Sequence, residues 1–298
     1  MDRIKIMEVG PRDGLQNESG IVSTETKIEL VNRLAGAGMT QIEAGSFVSP
    51  KWVPQMAGTD EVLAAVAPRQ GVSFPVLVPN MRGYQSAKAA GAQVVAVFIS
   101  ASEAFSHRNI NCSVSDSLLR CREVLQAATE DQIQVRGYLS NVLGCPYDGK
   151  VAASQVVKLT RELLDMGCYE VSLCDTIGVG TPPEARQLIN DLKTEVGVDK
   201  LAGHFHDTYG QALANTHVWI EAGVRTFDTA VSGLGGCPFA KGASGNLSTE
   251  DFVYSLHGEG VDPAIDLDEL IKTGAWISSQ LNRSPDSRVA KARTSACA

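Results

Sequence analysis

A recurring pattern of polar and hydrophobic positions organises the chain. A stretch with apolar residues at helical spacing ends in glycine, and an apolar, strand-like run follows within a few residues. The unit occurs four times, and its glycine and the strand-like run after it lie in residues 37–43, 90–96, 166–172 and 222–228. A glycine at a helix C-terminus adopts the left-handed conformation and ends the helix. The pattern therefore predicts repeated helix-to-strand units.

Four further apolar runs alternate with these units and raise the number of predicted strands to eight: residues 4–9, 72–78, 133–139 and 201–205. Helix-like stretches separate the strands, at residues 24–35, 115–128, 154–166, 183–196 and 211–222. Eight strand–helix units in about 260 residues predict a TIM (β/α)8 barrel in the α/β class. A doubly wound sheet is the alternative, but no G-x-G-x-x-G segment follows the first strand.

No linker divides the chain, so the sequence predicts a single catalytic domain over residues 1–298. Within it we expect the barrel over residues 1–260 and a C-terminal helical extension over residues 261–298. The last part of this extension, residues 282–298, is predicted to be a polar tail. The extension can pack against a second subunit, so a homodimer or a higher homo-oligomer is an open alternative to a monomer.

Composition and charge exclude several classes of partner. The 298 residues are 44% hydrophobic, enough for a large core, and the formal net charge is −8 with no long basic run. Nucleic acid and anionic membrane surfaces are therefore not expected as partners, and a small-molecule substrate is favoured. Seven cysteines without a C-x-x-C pair are typical of a reducing compartment. With strand-like sequence starting at Ile4, we expect a cytoplasmic location.

Polar residues at predicted strand ends carry the candidate chemistry. Strand seven ends with His204 and His206, and residues at i and i+2 project from the same face of a strand. Arg12 and Asp13 follow strand one, and Asn246 lies in the loop after strand eight. Strands seven, eight and one are neighbours in a closed barrel. The two histidines, Asp13 and Asn246 can therefore converge on one cation.

This ligand set indicates which metal to expect. Two imidazoles, one carboxylate and one amide oxygen, with room for substrate oxygens, suit octahedral Mg²⁺ or Mn²⁺. Structural zinc sites are four-coordinate and rich in thiolates. We therefore expect Mg²⁺ or Mn²⁺, although Zn²⁺ and Co²⁺ are compatible with the ligand types.

Further candidates lie in other loops of the same predicted face. Cys237, in the glycine-rich loop after strand eight, can serve as an acid when that loop closes; an inert cysteine in a turn is the alternative. Glu43 follows strand two and Asp175 follows strand six, and either carboxylate can orient Arg12 or a ligand histidine. We therefore include Cys237, Glu43 and Asp175 among the catalytic candidates.

Candidates for substrate binding lie beside these groups. Gln16 shares the loop of Arg12, and Thr176 follows Asp175. His107 lies in a predicted loop and can reach a substrate, although a solvated loop side chain is the simpler interpretation. Arg12, Gln16, His107 and Thr176 are therefore the predicted substrate contacts.

Six segments, in this order along the chain, resemble the hydroxymethylglutaryl-CoA lyase family. They are residues 9–18 (VGPRDGLQNE), 46–56 (SFVSPKWVPQM), 144–147 (GCPY), 175–181 (DTIGVGT), 204–215 (HFHDTYGQALAN) and 233–246 (GLGGCPFAKGASGN). The resemblance implies a metal-dependent TIM barrel that cleaves 3-hydroxy-3-methylglutaryl-CoA to acetyl-CoA and acetoacetate. It also implies a place in leucine degradation and ketone-body metabolism.

The resemblance leaves alternatives for the reaction and the substrate. A Claisen-type synthase on the same barrel is one, and the run Gly235-Gly236-Cys237-Pro238 favours a lyase over it. A lyase for a longer branched homologue, such as 3-hydroxy-3-isohexenylglutaryl-CoA, is another, because the small residues Ala44 and Gly45 can enlarge the acyl pocket. A non-catalytic binding barrel is a third alternative, and the complete set of candidate residues counts against it.

For a lyase, the candidate residues divide into roles. A metal held by Asp13, His204, His206 and Asn246 would bind the substrate oxygens. Arg12 stabilises the enolate oxygen, and Cys237 protonates the enolate carbon. Asp13, a ligand histidine or a water is the candidate base.

Overall fold

The computed structural model of the protein describes residues 4–18, 20–236 and 245–295. Eight strands run parallel to their neighbours and lie in chain order around the sheet. They are β1 (Lys5–Glu8), β2 (Gly45–Ser46), β3 (Val76–Leu77), β4 (Val94–Ser100), β5 (Gln134–Ser140), β6 (Glu170–Asp175), β7 (Leu201–Phe205) and β8 (Thr226–Thr229). Strand β8 pairs with β1, and a parallel bridge between Glu8 and Ile42 joins β1 to the segment before β2. The ring is thereby closed, and the predicted TIM barrel is confirmed.

Helices cover the outside of the barrel and form the C-terminal part of the chain. They are α1 (Thr24–Gly36), α2 (Thr59–Val66), α3 (Met81–Ala89), α4 (Glu103–Ile110), α5 (Val114–Glu130), α6 (Ala153–Asp165), α7 (Pro182–Lys193), α8 (Ala212–Ala222), α9 (Thr249–Gly258), α10 (Leu267–Gln280) and α11 (Arg288–Ser295). None of these helices is long and apolar enough to cross a membrane.

Capping residues explain why several helices begin where the sequence predicts. Ser23 accepts a hydrogen bond from the backbone N–H of Thr26 at 3.2 Å, and α1 begins at the next residue. Thr181 and Glu184 form a capping box before α7. Gly223 ends α8 with a left-handed φ of 108°. Local signals in the sequence therefore determine these ends.

Packing between layers relies on large apolar side chains. Trp219 of α8 meets Phe205 of β7 edge to face, with ring centroids 5.2 Å apart. The indole N–H of Trp219 donates to the carbonyl of Ala185 in α7 at 3.0 Å. These contacts fix α7 and α8 against β7, which carries His204 and leads directly to His206.

Strands β2 and β3 are shorter than the sequence predicts. The apolar runs at residues 37–43 and 72–78 predict full strands, but β2 and β3 contain two residues each. The preceding residues still belong to the barrel wall, because Ile42 N–H donates to the carbonyl of Ser73 at 3.0 Å. An apolar run indicates that a segment is buried. It does not show whether the segment pairs with its neighbours through isolated β-bridges or through a continuous strand.

The segment predicted as a polar tail contains a helix. Residues 288–295 form α11, and Asp251 of α9 accepts hydrogen bonds from its first turn. The Asp251 carboxylate accepts hydrogen bonds from the backbone N–H groups of Arg288 at 3.1 Å and Val289 at 2.9 Å. This cap lies 36 or more residues away in sequence, so no local pattern predicts it.

Candidate active site

A cleft of about 1410 Å³ opens at the carboxyl ends of the strands. Loops after β1, β2, β3 and β4 form its outer wall, and side chains of β5, β6 and β7 form its floor. In a TIM barrel this face carries the catalytic groups. The predicted candidates Arg12, Asp13, Gln16, Thr176, His204 and His206 all line the cleft.

Arg12 is held in one orientation at the floor of the cleft. It lies in a helical turn, Gly10–Gly14, directly after β1. Its Nε donates to Glu43 Oε2 at 2.7 Å and its Nη1 to Asp13 Oδ1 at 2.6 Å. Its guanidinium carbon lies 5.3 Å from the ring centroid of Tyr138. Three neighbours therefore fix the group before a substrate binds.

The charge of Arg12 is secured by its surroundings. Burial alone lowers the pKa of a guanidinium, but Glu43 and Asp13 outweigh it and raise the pKa of Arg12 above its usual range. Arg12 is only 6% exposed, so this charge faces the cleft in a poorly hydrated environment. Such a cation is suited to stabilise a negative charge that develops during a reaction.

The two histidines and Asp13 form a compact cluster beside Arg12. The possible ligand atoms of Asp13, His204 and His206 all lie within 4.8 Å of one another. Asp13 Oδ2 is 3.9 Å from His204 Nε2 and 3.8 Å from His206 Nε2. These distances are too long for hydrogen bonds. Ligand atoms that share one cation at ~2.1 Å lie roughly 3–4 Å apart, so the spacing fits a metal site.

Asn246 completes this cluster from the loop after β8. Its amide nitrogen donates to Asp13 Oδ2 and to the carbonyl of Leu234, both at 3.0 Å. Its Oδ1 is buried and has no hydrogen-bond partner among the described residues. A buried oxygen without a partner is costly unless a cation or water satisfies it. The residues present therefore fit a hard divalent cation.

Protonation states in the cluster also suit a metal. Burial acts to raise the pKa of Asp13, but Arg12 and then the two histidines lower it well below its usual range. Burial and the neighbouring His204 lower the pKa of His206 to about 4. A carboxylate and a neutral imidazole are the forms that bind metals.

Comparison with known proteins identifies the family of this barrel. The sequence matches the HMGL-like family over residues 3–277. The chain belongs to the HMGL-like family. A mitochondrial hydroxymethylglutaryl-CoA lyase of Bos taurus is 54% identical over 290 residues, covering 97% of this chain and 89% of that protein. A Pseudomonas aeruginosa protein named 3-hydroxy-3-isohexenylglutaryl-CoA/hydroxy-methylglutaryl-CoA lyase is also 54% identical, with 97% of both chains covered.

Solved structures agree with this assignment. The hydroxymethylglutaryl-CoA lyase from Pseudomonas aeruginosa superposes with a TM-score of 0.96 at 54% identity, covering 98% of both chains. An HMG-CoA lyase from Acinetobacter baumannii, in complex with coenzyme A and 3-methylmalate, gives a TM-score of 0.93 at 35% identity. It covers 98% of this chain and 95% of the other. The predicted family, and with it the class of carbon–carbon lyases, is confirmed.

Glu43 and Asp175, the two predicted orienting carboxylates, differ in what they contact. Glu43 is 0% exposed and lies behind Arg12, so its contact is with Arg12. Asp175 instead accepts hydrogen bonds from the backbone N–H groups of Val179 at 3.2 Å and Gly180 at 2.8 Å. This corrects the expectation that Asp175 orients Arg12 or a ligand histidine, because its carboxylate instead binds the backbone of the loop that follows it.

Two other expectations for the substrate contacts change. His107 lies in α4 rather than in a loop, and its side chain is 59% exposed and outside the cleft wall. The neighbouring Arg108 lines the cleft instead. Gly45 packs against Thr59, and neither Ala44 nor Gly45 lines the cleft, so these small residues do not enlarge the acyl pocket.

Cys237 lies outside the described residues. The neighbouring Gly236 lines the cleft, and its carbonyl accepts a hydrogen bond from Asn17 Nδ2 at 2.8 Å. The segment that leads to Cys237 is thus joined to the loop after β1.

Sequence reasoning missed two kinds of residue at this site. The first is an apolar inner wall of the cleft, formed by Leu77, Phe98, Tyr138 and Cys174. The second is Asp228 of β8, whose carboxylate lies 3.1 Å from His204 Nδ1. A charged residue within a short strand that is otherwise uncharged, in the segment TFDT, is the signal that marks Asp228.

Proposed function

We propose that this protein is a divalent-metal-dependent lyase that cleaves 3-hydroxy-3-methylglutaryl-CoA to acetyl-CoA and acetoacetate. The observation that carries the proposal is the arrangement at the floor of the cleft. There a charged Arg12 lies beside Asp13, His204, His206 and Asn246. Curated relatives that are 52–54% identical over 97% of the chain carry the name hydroxymethylglutaryl-CoA lyase, which supports this substrate.

The cleft suits an acyl-CoA as substrate. Its volume of about 1410 Å³ exceeds what a small organic acid needs, and Arg82 and Arg108 lie on its wall. Arginine side chains are suited to bind the phosphates of coenzyme A. The relative from Acinetobacter baumannii was solved with coenzyme A, which supports the same ligand class here.

The proposed reaction is a retro-Claisen cleavage. The proton of the tertiary hydroxyl group leaves to a base, and the electron pair of the O–H bond forms the ketone carbonyl. The bond between the carbinol carbon and the α-carbon of the thioester breaks, and its electron pair becomes that of a thioester enolate. A proton added to the enolate carbon gives acetyl-CoA, and the other fragment is acetoacetate.

Asp13, His204, His206 and Asn246 would hold Mg²⁺ or Mn²⁺ in this reaction. When bound, the cation supplies Lewis-acid stabilisation of the negative charge on the substrate oxygens. The unpartnered Asn246 Oδ1 and the close spacing of the other ligand atoms support this site.

Arg12 would stabilise the enolate oxygen. Its Nε and Nη1 bind Glu43 and Asp13, so the guanidinium is fixed while it faces the cleft. A fixed donor aimed at a developing oxyanion is typically worth ~3–4 kcal/mol.

We assign the acid to Cys237, and His206 or a water is the candidate base. Asp13 is a poor base, because its pKa lies well below its usual range. His206 is neutral at pH 7, because burial lowers its pKa to about 4. Cys237 follows Gly236, which lines the cleft, and the assignment of the acid rests on the sequence alone.

A longer branched substrate is a second candidate. The Pseudomonas aeruginosa relative, 54% identical, carries isohexenylglutaryl-CoA in its name. The apolar inner wall of Leu77, Phe98, Tyr138 and Cys174 is chemically suited to an aliphatic branch.

The proposal also includes a cellular setting. We assign the enzyme to leucine degradation in the cytoplasm, as a monomer or a homo-oligomer. The five described cysteines, all buried and unpaired, favour a reducing compartment. Cell fractionation tests the location, because enzyme recovered only in a membrane or organelle fraction would contradict it.

The substrate is tested by turnover of the methyl and isohexenyl thioesters side by side. The proposal predicts a higher kcat/KM for 3-hydroxy-3-methylglutaryl-CoA, with equal amounts of acetyl-CoA and acetoacetate formed. A higher kcat/KM for the isohexenyl compound would favour the second candidate. Failure to cleave either thioester would contradict both.

A further inference from the structure

A buried charged network lies in the barrel interior, beneath the floor of the cleft. Arg136 of β5 donates from Nη2 to Asp228 Oδ1 at 2.8 Å and from Nη1 to Asp228 Oδ2 at 3.2 Å. The Nε of Arg136 donates to Glu170 Oε1 at 2.8 Å. The side chains of Arg136 and Asp228 are both 0% exposed. Charges buried this deeply are costly unless they are paired, so the network calls for an explanation.

Asp228 also connects this network to the cluster above it. Its Oδ2 accepts a hydrogen bond from Ser172 Oγ at 2.6 Å and lies 3.1 Å from His204 Nδ1. The sheet itself creates this contact, since His204 and Asp228 are partners in the register of β7 and β8. The pairing therefore does not depend on a mobile loop.

The charge of Asp228 decides which nitrogen of His204 carries the hydrogen. Arg136, which stays protonated in proteins, donates hydrogen bonds to both oxygens of the buried Asp228 carboxylate, and this pairing favours the ionised form of Asp228. An ionised carboxylate only accepts hydrogen bonds, so the neutral imidazole donates from Nδ1. Its Nε2 then keeps a free lone pair, and this atom faces Asp13 Oδ2 at 3.9 Å.

His206 provides an internal comparison. It lies two residues further along the chain, and its ring centroid is 5.3 Å from that of His204. Its Nδ1 is buried but has no hydrogen-bond partner among the described residues. Of these two histidines, only His204 has a carboxylate that selects its tautomer.

We propose that Asp228 is a positioning residue, which holds His204 in the Nδ1-protonated tautomer and presents Nε2 as a metal ligand. Arg136 keeps Asp228 ionised and in place. The inference rests on the proposed metal site, but it concerns a residue outside that site. Carboxylates that orient a ligand histidine typically contribute about 10–100-fold to metal affinity.

Mn²⁺ binding to the purified full-length chain tests the contribution to affinity. We expect Asp228→Asn to weaken Mn²⁺ binding by about 10–100-fold, measured by electron paramagnetic resonance of free Mn²⁺. Glu170→Gln is the matched control, because it alters the other carboxylate on Arg136 without a contact to His204. The control should bind Mn²⁺ like the wild type. An Asp228→Asn affinity equal to wild type, or an equal loss in both variants, would overturn the inference.

The tautomer of His204 in the metal-free wild type is a second test, which needs no variant to fold. Nitrogen-15 NMR of histidine-labelled protein distinguishes a protonated Nδ1 from a protonated Nε2. We expect His204 to be protonated at Nδ1, and a His204 protonated at Nε2 would overturn the inference. If the wild type bound no Mn²⁺, the proposed metal site would fail, whereas this NMR result would still decide the role of Asp228.

Discussion

Arg12 has its orientation set by neighbours on three sides before any substrate is present. Glu43 binds Nε, Asp13 binds Nη1, and the ring of Tyr138 lies 5.3 Å from the guanidinium carbon. A preorganised donor costs little reorganisation when charge develops on the substrate. At the scale of single residues, this arrangement makes Arg12 the strongest candidate for transition-state stabilisation.

Replacement of Arg12 tests this role. We expect Arg12→Gln to lower kcat by roughly 10²–10⁴-fold while Mn²⁺ still binds, because the donor acts on the transition state. Steady-state kinetics and Mn²⁺ titration measure the two effects. Arg161→Gln is the control, since Arg161 forms an exposed ion pair with Glu195 and lies outside the cleft wall. Near-normal turnover of Arg12→Gln would remove Arg12 from the mechanism.

The histidine cluster gives a second prediction at the same scale. We expect His206→Ala to weaken Mn²⁺ binding strongly, because it removes one imidazole ligand from the cluster. His217→Ala is the control, because His217 lies in α8 and pairs with Glu259. Isothermal titration calorimetry measures both variants. Undiminished Mn²⁺ affinity in His206→Ala would dismiss the metal site.

Cys237 gives a prediction that rests on the sequence. We expect Cys237→Ser to lower kcat far more than it changes KM, because a hydroxyl is a much weaker acid than a thiol. Steady-state kinetics with 3-hydroxy-3-methylglutaryl-CoA measure the two constants. An unchanged kcat would make the thiol a structural residue.

The sequence predicted some site residues better than others, for a physical reason. His204, His206 and Asp13 follow from strand periodicity and barrel closure, which place their side chains at one face. Asp228 does not follow, because its contact with His204 depends on the register between β7 and β8. His107 was assigned to a loop, whereas α4 directs it away from the cleft.

At the scale of secondary-structure elements, the buried carboxylate of Glu8 joins the turn after β1 to the loop after β8. Glu8 accepts hydrogen bonds from Gly10 N–H at 2.8 Å, Val231 N–H at 2.9 Å and Thr249 Oγ1 at 2.7 Å. Burial outweighs these bonds and raises the pKa of Glu8 from 4.5 to about 7. The turn after β1 carries Arg12, and the loop after β8 leads to Asn246, so Glu8 links the two segments that supply these residues.

The raised pKa of Glu8 makes stability depend on pH. The Glu8 carboxyl binds its proton more tightly in the folded state than in the unfolded chain. Its contribution to the free energy of unfolding is therefore complete below pH 4.5 and is lost as pH rises to about 7. This loss corresponds to about 3 kcal/mol. Glu8→Gln removes the titration, so its free energy of unfolding should fall less between pH 5 and pH 7 than that of the wild type.

Urea unfolding at the two pH values measures this difference. Glu29→Gln is the control, because Glu29 is an exposed residue of α1 paired with Arg33. An equal fall in Glu8→Gln and the wild type would show that Glu8 does not titrate in this range.

The elements themselves were predictable where local signals exist. The starts of α1 and α7 follow from the caps at Ser23 and Thr181. Strands β2 and β3 were predicted too long, because their apolar runs lie in the wall but pair through isolated bridges. Helix α11 depends on Asp251 from another helix, and such a distant cap leaves no local pattern.

For the whole molecule, the C-terminal segment is tied to the catalytic face of the barrel. Asp286 N–H donates to the carbonyl of Ser232, in the loop after β8, at 3.1 Å. Arg288 Nη1 donates to Asp207 Oδ2, in the loop after β7, at 2.9 Å. The extension therefore packs as part of the barrel, which supports the prediction of a single domain.

Thermal unfolding tests this single-domain prediction. We expect one cooperative transition for residues 1–298, because the extension shares hydrogen bonds with two loops of the barrel. Differential scanning calorimetry measures the transition. Two separated transitions would indicate that the extension unfolds as an independent unit.

The metal dependence of carbon–carbon bond cleavage is the most direct test of the proposed chemistry. The purified protein, stripped of metal by a chelator, is mixed with 3-hydroxy-3-methylglutaryl-CoA, and acetyl-CoA and acetoacetate are measured before and after Mg²⁺ is restored. The account predicts almost no product without metal and equal amounts of both products with it. Undiminished cleavage without metal, or no cleavage after Mg²⁺ or Mn²⁺ is restored, would contradict it.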